Sequence, residues 1–227
     1  MKRPTAWIVA GLPALFATSL AGQAARAADP EAQASARYRV VFERTWSETS
    51  HPQDFPLLAH FSPVIGATHD AGFTLFAEGA TATPGIEKLC EEGKHQPLDA
   101  EIRGAVAAGH VGALIETSDP IRSVPGEAVA EFEIDAAHPL VSIAAMIAPS
   151  PDWCAVAALV SLVEDGRFVA RRTVELFPWD AGTDSATSYR AFDADMQPRG
   201  PVRPSDSPYF ARDGAPTPVG RVTFVRQ

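Results

Sequence analysis

The chain has 227 residues, 19 of them basic and 28 acidic. Three of the basic residues lie in the first 27 positions, which hold no acid, so residues 28–227 carry 16 basic against 28 acidic side chains, a net charge of −12. A surface so acidic repels nucleic acid and anionic lipid and favours cations, and 200 residues are enough for one domain with one sizeable core.

In chain order, Lys2 and Arg3 precede an apolar run from Trp7 to Leu20, and Ala25-Arg26-Ala27 follows as a small-x-small site. This is the layout of a secretory signal peptide over 1–27. A retained membrane anchor is the alternative, but Gly11, Pro13, Thr18 and Ser19 dilute the run below a good span. No integral membrane segment is expected after cleavage, and with no cysteine after the site, no lipid anchor there either. Residues 28–36 (ADPEAQASA) read as a flexible leader and 37–227 as a single domain.

ARYRVVFERTW (36–46) alternates, with Tyr38, Val40 and Phe42 on one side, and predicts a strand. Residues 47–72, rich in Ser, Pro, His and Gly, read as a long irregular stretch, and GFTLFAEG (72–79) as a short strand. PGIEKLCEEGK (84–94) runs from a proline to a glycine and predicts a short helix. PLDAEIRGAVAAGH (97–110) sets Leu98, Ile102, Ala105 and Val106 at helical spacing and predicts a second. Strands are then expected over 112–117, 128–135, 140–148 and 155–163. A turn at EDGR (164–167) leads into a hairpin partner over 167–177. The proline-rich segment 192–218 reads as a loop, and 219–227 as a closing strand. About eight strands with two minor helices predict an all-β, antiparallel β-sandwich. No glycine-rich fingerprint follows a strand, which excludes a Rossmann or P-loop reading.

Asp152 follows the strand 140–148, and Asp180 and Asp184 follow the strand 167–177. In an antiparallel sandwich these loops lie on one rim. Three carboxylates brought together repel one another unless a positive charge sits among them. Hard oxygen ligands from adjacent loops suit Ca²⁺ better than Mg²⁺, which demands stricter geometry. Gly182 lets the chain curl so that Asp180 and Asp184 face inward. The alternative is that all three are turn and cap aspartates. Cys90 and Cys154 can pair in an oxidising compartment or stay as separate thiols.

HFSPVIGATH (60–69), GFTLFAEGA (72–80), HPLVSIAAMIAPSPDW (138–153) and ELFPWDAGTD (175–184) closely resemble the spondin domain, the amino-terminal module of F-spondin and its relatives. WSETSHPQDFP (46–56) and the closing RVTFVRQ also fit. The likeness spans roughly 36–227. It implies an eight-stranded, C2-like sandwich, a role in extracellular matrix and adhesion rather than catalysis, and calcium ligands at the aspartates here numbered 152, 180 and 184. Two departures stand out: Cys90 and Cys154 occupy positions where other residues are expected, and Ala186 follows Ser185 where a glycine is common.

Other residues carry weaker alternatives. His60 and His69 with Asp70 suggest zinc or a general base, but no third ligand has metal spacing, so hydrogen-bonding roles are expected, and His51 reads as structural. No nucleophile elbow is present, and Ser142 and Ser161 fall in apolar strands. Trp46, Trp153 and Trp179 read as core or loop anchors, with Trp153 and Trp179 beside the proposed ligands. The expectation is a secreted or periplasmic Ca²⁺-binding adhesion module, not an enzyme, whose partner is an extracellular protein or glycan. A carbohydrate-binding module using Trp153 and Trp179, and a metal-dependent hydrolase, are the alternatives.

Overall fold

The computed structural model describes residues 34–227; the segment read as a signal peptide, and most of the leader, lie outside the described residues. The long strands are β1 (Ser35–Arg44), β2 (Ile65–His69), β3 (Val111–Glu116), β4 (Gly126–Asp135), β5 (Leu140–Ala148), β6 (Trp153–Ser161), β7 (Arg171–Asp180) and β8 (Gly220–Arg226). They hydrogen-bond in the order β3-β2-β5-β6-β7-β8-β1-β4, every pair antiparallel. The two end strands, β3 and β4, approach each other, so the sheet nearly closes into a barrel-like sandwich. The helices are α1 (Pro84–Glu92) and α2 (Leu98–Ala107), and among the described residues no helix is long and apolar enough to cross a membrane.

Two packing layers explain the sequence pattern. The larger core fills the sandwich with Tyr38, Phe42, Ile143, Ile147, Val222 and Phe224. A second cluster lies between the helices and the other face of β2, β5 and β6, and includes Ile65, Ile86, Leu89, Ile102, Ala144 and Val156. β5 is therefore covered on both sides, which is why LVSIAAMIA is almost unbroken apolar rather than alternating. β1 faces water on one side and alternates accordingly.

Helix α1 starts where its residues dictate. The Thr83 side chain accepts the Ile86 amide, Pro84 opens the first turn, and Gly93 closes the helix in the left-handed region at φ 66°. Asp165 and Gly166, at φ 49° and 71°, make the tight turn at EDGR.

Three expectations need correction. The stretch 47–72 contains β2, a fully buried strand between β3 and β5. Its Gly66 is required there: a Cβ would lie 2.3 Å from the Ser142 carbonyl oxygen of β5. Residues 72–79 form no strand; Leu75 and Phe76 instead plug the second cluster from a loop. The turn at 164–167 joins only the short pair Val163–Glu164 and Arg167–Phe168. Beyond it, β7 pairs with β8 over Arg171–Leu176 and with β6 only over Phe177–Asp180, so one strand bridges both halves of the sandwich.

Cys90 of α1 and Cys154 of β6 form a disulfide with Cα atoms 5.3 Å apart, and both are fully buried. Closing a loop of 64 residues restricts the unfolded chain by about 4 kcal/mol in the chain-entropy account. Replacing both cysteines by alanine is expected to lower the unfolding midpoint by about 5 °C or more while preserving the β-rich far-UV circular dichroism spectrum. A midpoint within 1 °C of wild type would show that the bridge contributes nothing.

Candidate metal centre

Asp152 lies one residue before β6, and Asp180 ends β7. The register pairs Asp180 with Trp153, and the Ala181 amide bonds to the Asp152 carbonyl, so Asp152 and Asp180 come from neighbouring strand ends. Ser150 Oγ accepts the Trp153 amide and turns the chain inward at that point. The Asp152 side chain is 1% exposed. Its Oδ2 accepts the amides of Thr183 at 2.8 Å and Asp184 at 3.2 Å, so this one carboxylate shapes the turn that carries the third aspartate. Gly182, at φ 70°, passes so close to the 200–201 segment that a Cβ would meet the Gly200 carbonyl oxygen at 2.6 Å.

The structure thus brings Asp152, Asp180 and Asp184 to one rim. Burial, and after it the neighbouring charge of Asp180, push the Asp152 carboxyl up to about 6 against the pull of the two amides. Burial also raises Asp180, opposed by Arg203. Their oxygens are engaged locally: Asp180 Oδ1 accepts the Gly182 amide, and Asp184 accepts the Ala186 amide at 2.6 Å and the Ala194 amide at 3.1 Å. Among the described residues no three acidic, histidine or cysteine side chains are gathered into a ready-made metal cage. The donor chemistry nonetheless fits a hard divalent cation. Carboxylate oxygens that accept one amide keep a second lone pair, and buried like charges raise one another's pKa until a cation relieves them.

Sequence reasoning missed two neighbours. Arg203 pairs in register with Asp180, and its Nη2 lies 2.9 Å from Asp180 Oδ2. Glu91, beside Cys90 on α1, shares a cavity of about 340 Å³ with Asp184 and Asp193, and burial raises its carboxyl. Neither has a local signal, because both reach the rim through long-range contacts. A second cleft of about 520 Å³ is lined by Asp180, Asp184, Met196, Arg203 and Asp206.

Most of the remaining candidates are engaged in packing or in local hydrogen bonds. Trp153 is 3% exposed and packs 5.0 Å from Phe210 and 5.5 Å from Tyr189, bracing the rim from inside. Trp46 is buried against Phe61 and Phe55. Trp179 is half-buried, packs against Phe76 and lines an apolar cleft of about 580 Å³ with Phe177 and Phe210. His69 is fully buried: its Nδ1 bonds to the Asp70 carbonyl and its Nε2 to Ser142 Oγ. The Asp70 carboxylate turns away to the Gly72 amide and His110. His60 bonds to the Leu58 carbonyl, and buried His51 bonds to Ser50 Oγ.

An antiparallel sandwich with acidic loops converging at one rim is a non-enzymatic architecture as readily as a catalytic one, so similarity to known proteins has to decide the class. The family described as Spondin_N matches residues 36–215. Human Spondin-2 is 30% identical over 207 residues, covering 86% of this chain and 62% of that protein. Rat Spondin-1 is 31% identical over 209 residues, covering 85% of this chain and 25% of that protein. Xenopus laevis Spondin-1 is 32% identical over 208 residues. The chain belongs to the spondin N-terminal domain family, and it spans less than two thirds of the length of these relatives.

The buried carboxyl makes a signed prediction for the metal-free protein. A carboxyl whose folded pKa is raised favours folding while protonated and opposes it once ionised, so stability falls as pH rises from about 4 through 6. In EDTA, Asp152→Asn is expected to abolish this component and to exceed wild type at pH 7.5 by up to about 3 kcal/mol. The check is denaturant unfolding of both proteins from pH 4 to 7.5. A variant less stable than wild type at pH 7.5 would sink the reading.

Proposed function

We propose that this protein is an exported calcium-binding β-sandwich of spondin type that acts as a binding or adhesion module in an extracellular or periplasmic space, with Asp152, Asp180 and Asp184 as the metal ligands. The observation that carries this reading is a nearly water-free Asp152 carboxylate beside two further carboxylates, one ending β7 and one on the loop that follows it. Bound Ca²⁺ would supply the positive charge that offsets three carboxylates brought to one rim. The chain's own residues do the rest. Asp152 holds the 183–184 turn, Gly182 permits its curl, and Trp153 with Tyr189 and Phe210 backs the loop so that the aspartates stay in position.

Export agrees with the signal-like start of the sequence and with a buried disulfide, which belongs in an oxidising compartment. Membership of the spondin family favours adhesion over catalysis, the partner being an extracellular protein or glycan. The carbohydrate-module alternative loses one of its two indoles, because Trp153 is buried. The hydrolase alternative draws no support from His69, which has a serine partner but is buried in the β2–β5 layer with its ring nitrogens already engaged.

Thermal unfolding in EDTA and then across calcium tests the proposal. At a hundredfold excess over Kd the midpoint is expected to rise by about 5–10 °C and then saturate. The rise should vanish in Asp184→Asn. A midpoint independent of calcium up to tens of millimolar would refute calcium binding and leave an exported sandwich of unassigned ligand.

A further inference from the structure

We propose that Arg203 is a built-in counter-ion that holds Asp180 in the metal-free protein and competes with calcium for it. The inference rests on the calcium reading above and deepens it. Arg203 is not a chance surface partner. The short pair Arg203–Pro204 hydrogen-bonds to the end of β7, with Arg203 opposite Asp180. Val202 beside it is buried in the second core cluster, and its amide bonds to the Ala80 carbonyl. The backbone is therefore fixed, and only the side chain is free to move.

The contacts show what the guanidinium does. Nη2 donates to Asp180 Oδ2 at 2.9 Å, while the other oxygen of Asp180 already accepts the Gly182 amide. The arginine thus takes the carboxylate oxygen that faces away from the turn. Its Nη1 lies 3.0 Å from Asp206 Oδ2. That second partner is itself 82% exposed, and the arginine side chain is 42% exposed. A route out is therefore in place: the guanidinium can keep Asp206 and leave Asp180 without being buried unpaired. Both residues line the cleft of about 520 Å³ at this rim.

A cation entering beside Asp180 meets two costs. It must break a charge-assisted hydrogen bond, and it must sit near a positive charge that repels it. The gain falls on the metal-free protein, whose crowded carboxylates are partly neutralised before any calcium is met. Arg203 thereby sets the calcium threshold, trading affinity for a rim that stays folded without metal.

A residue that merely supported the site would weaken calcium binding when removed; a competitor strengthens it. Calcium affinity by isothermal titration and the midpoint in EDTA should be measured for the purified protein and for Arg203→Gln. The expected result is a Kd lowered about fivefold together with a lower midpoint in EDTA. Arg203→Lys, which keeps the charge but loses the planar fork, should fall between the two in Kd, and it carries the test if the glutamine variant does not fold. A Kd unchanged or raised in the folded variant, with wild type binding normally, overturns the counter-ion alone. Calcium binding by Arg203→Gln but not by wild type supports it in its strongest form. No binding by either overturns the calcium reading and this inference with it.

Discussion

One buried carboxylate organises the rim. Asp152 receives two amides of the 181–184 turn on a single oxygen, and without that acceptor the turn would have two inward N–H groups unpaired. Ionised side chains are rarely so buried unless they are bonded or paired. Here hydrogen bonds offset only part of the cost, and the raised pKa records the remainder. The rim is therefore folded at an electrostatic cost.

The surrounding architecture fixes where that carboxylate sits. β7 pairs with β8 in its first half and β6 in its second, so its last residue, Asp180, lands next to the start of β6. Behind β6, the disulfide fastens α1 to Cys154, two positions from Asp152. Helix, strand and turn are thus tied at one end of the sandwich. The aromatic group of Trp153, Tyr189, Tyr209 and Phe210 closes it from within. Loops held this firmly can keep like charges near one another, which flexible loops would relieve by moving apart.

The same frame accounts for the chain's acidity. Residues 28–227 carry an excess of twelve negative charges, and near the rim a few basic residues offset part of it. Arg203 meets Asp180 and Asp206, and Lys88 meets Glu92.

The sequence by itself determined the elements whose signals are local. Pro84 and Gly93 bound α1, because start and stop signals act within one turn. Asp165-Gly166 marked a reversal, and the apolar run LVSIAAMIA marked a strand. Asp152, Asp180 and Asp184 were legible as a group, since antiparallel connectivity sends alternate strand ends to one rim and the family motifs name the same positions. Tertiary structure alone decided the rest. β2 is hidden in IGATH because Gly66 is chosen for close approach to β5, not for strand propensity. GFTLFAEG looks like a strand, yet Leu75 and Phe76 are loop residues drawn into a core that is completed by Ala144, Cys154 and Val156 from distant strands. The Cys90–Cys154 bridge and the meeting of Arg203 with Asp180 depend on contacts across 64 and 23 positions. No local pattern encodes them, because what brings them together is the packing of whole strands.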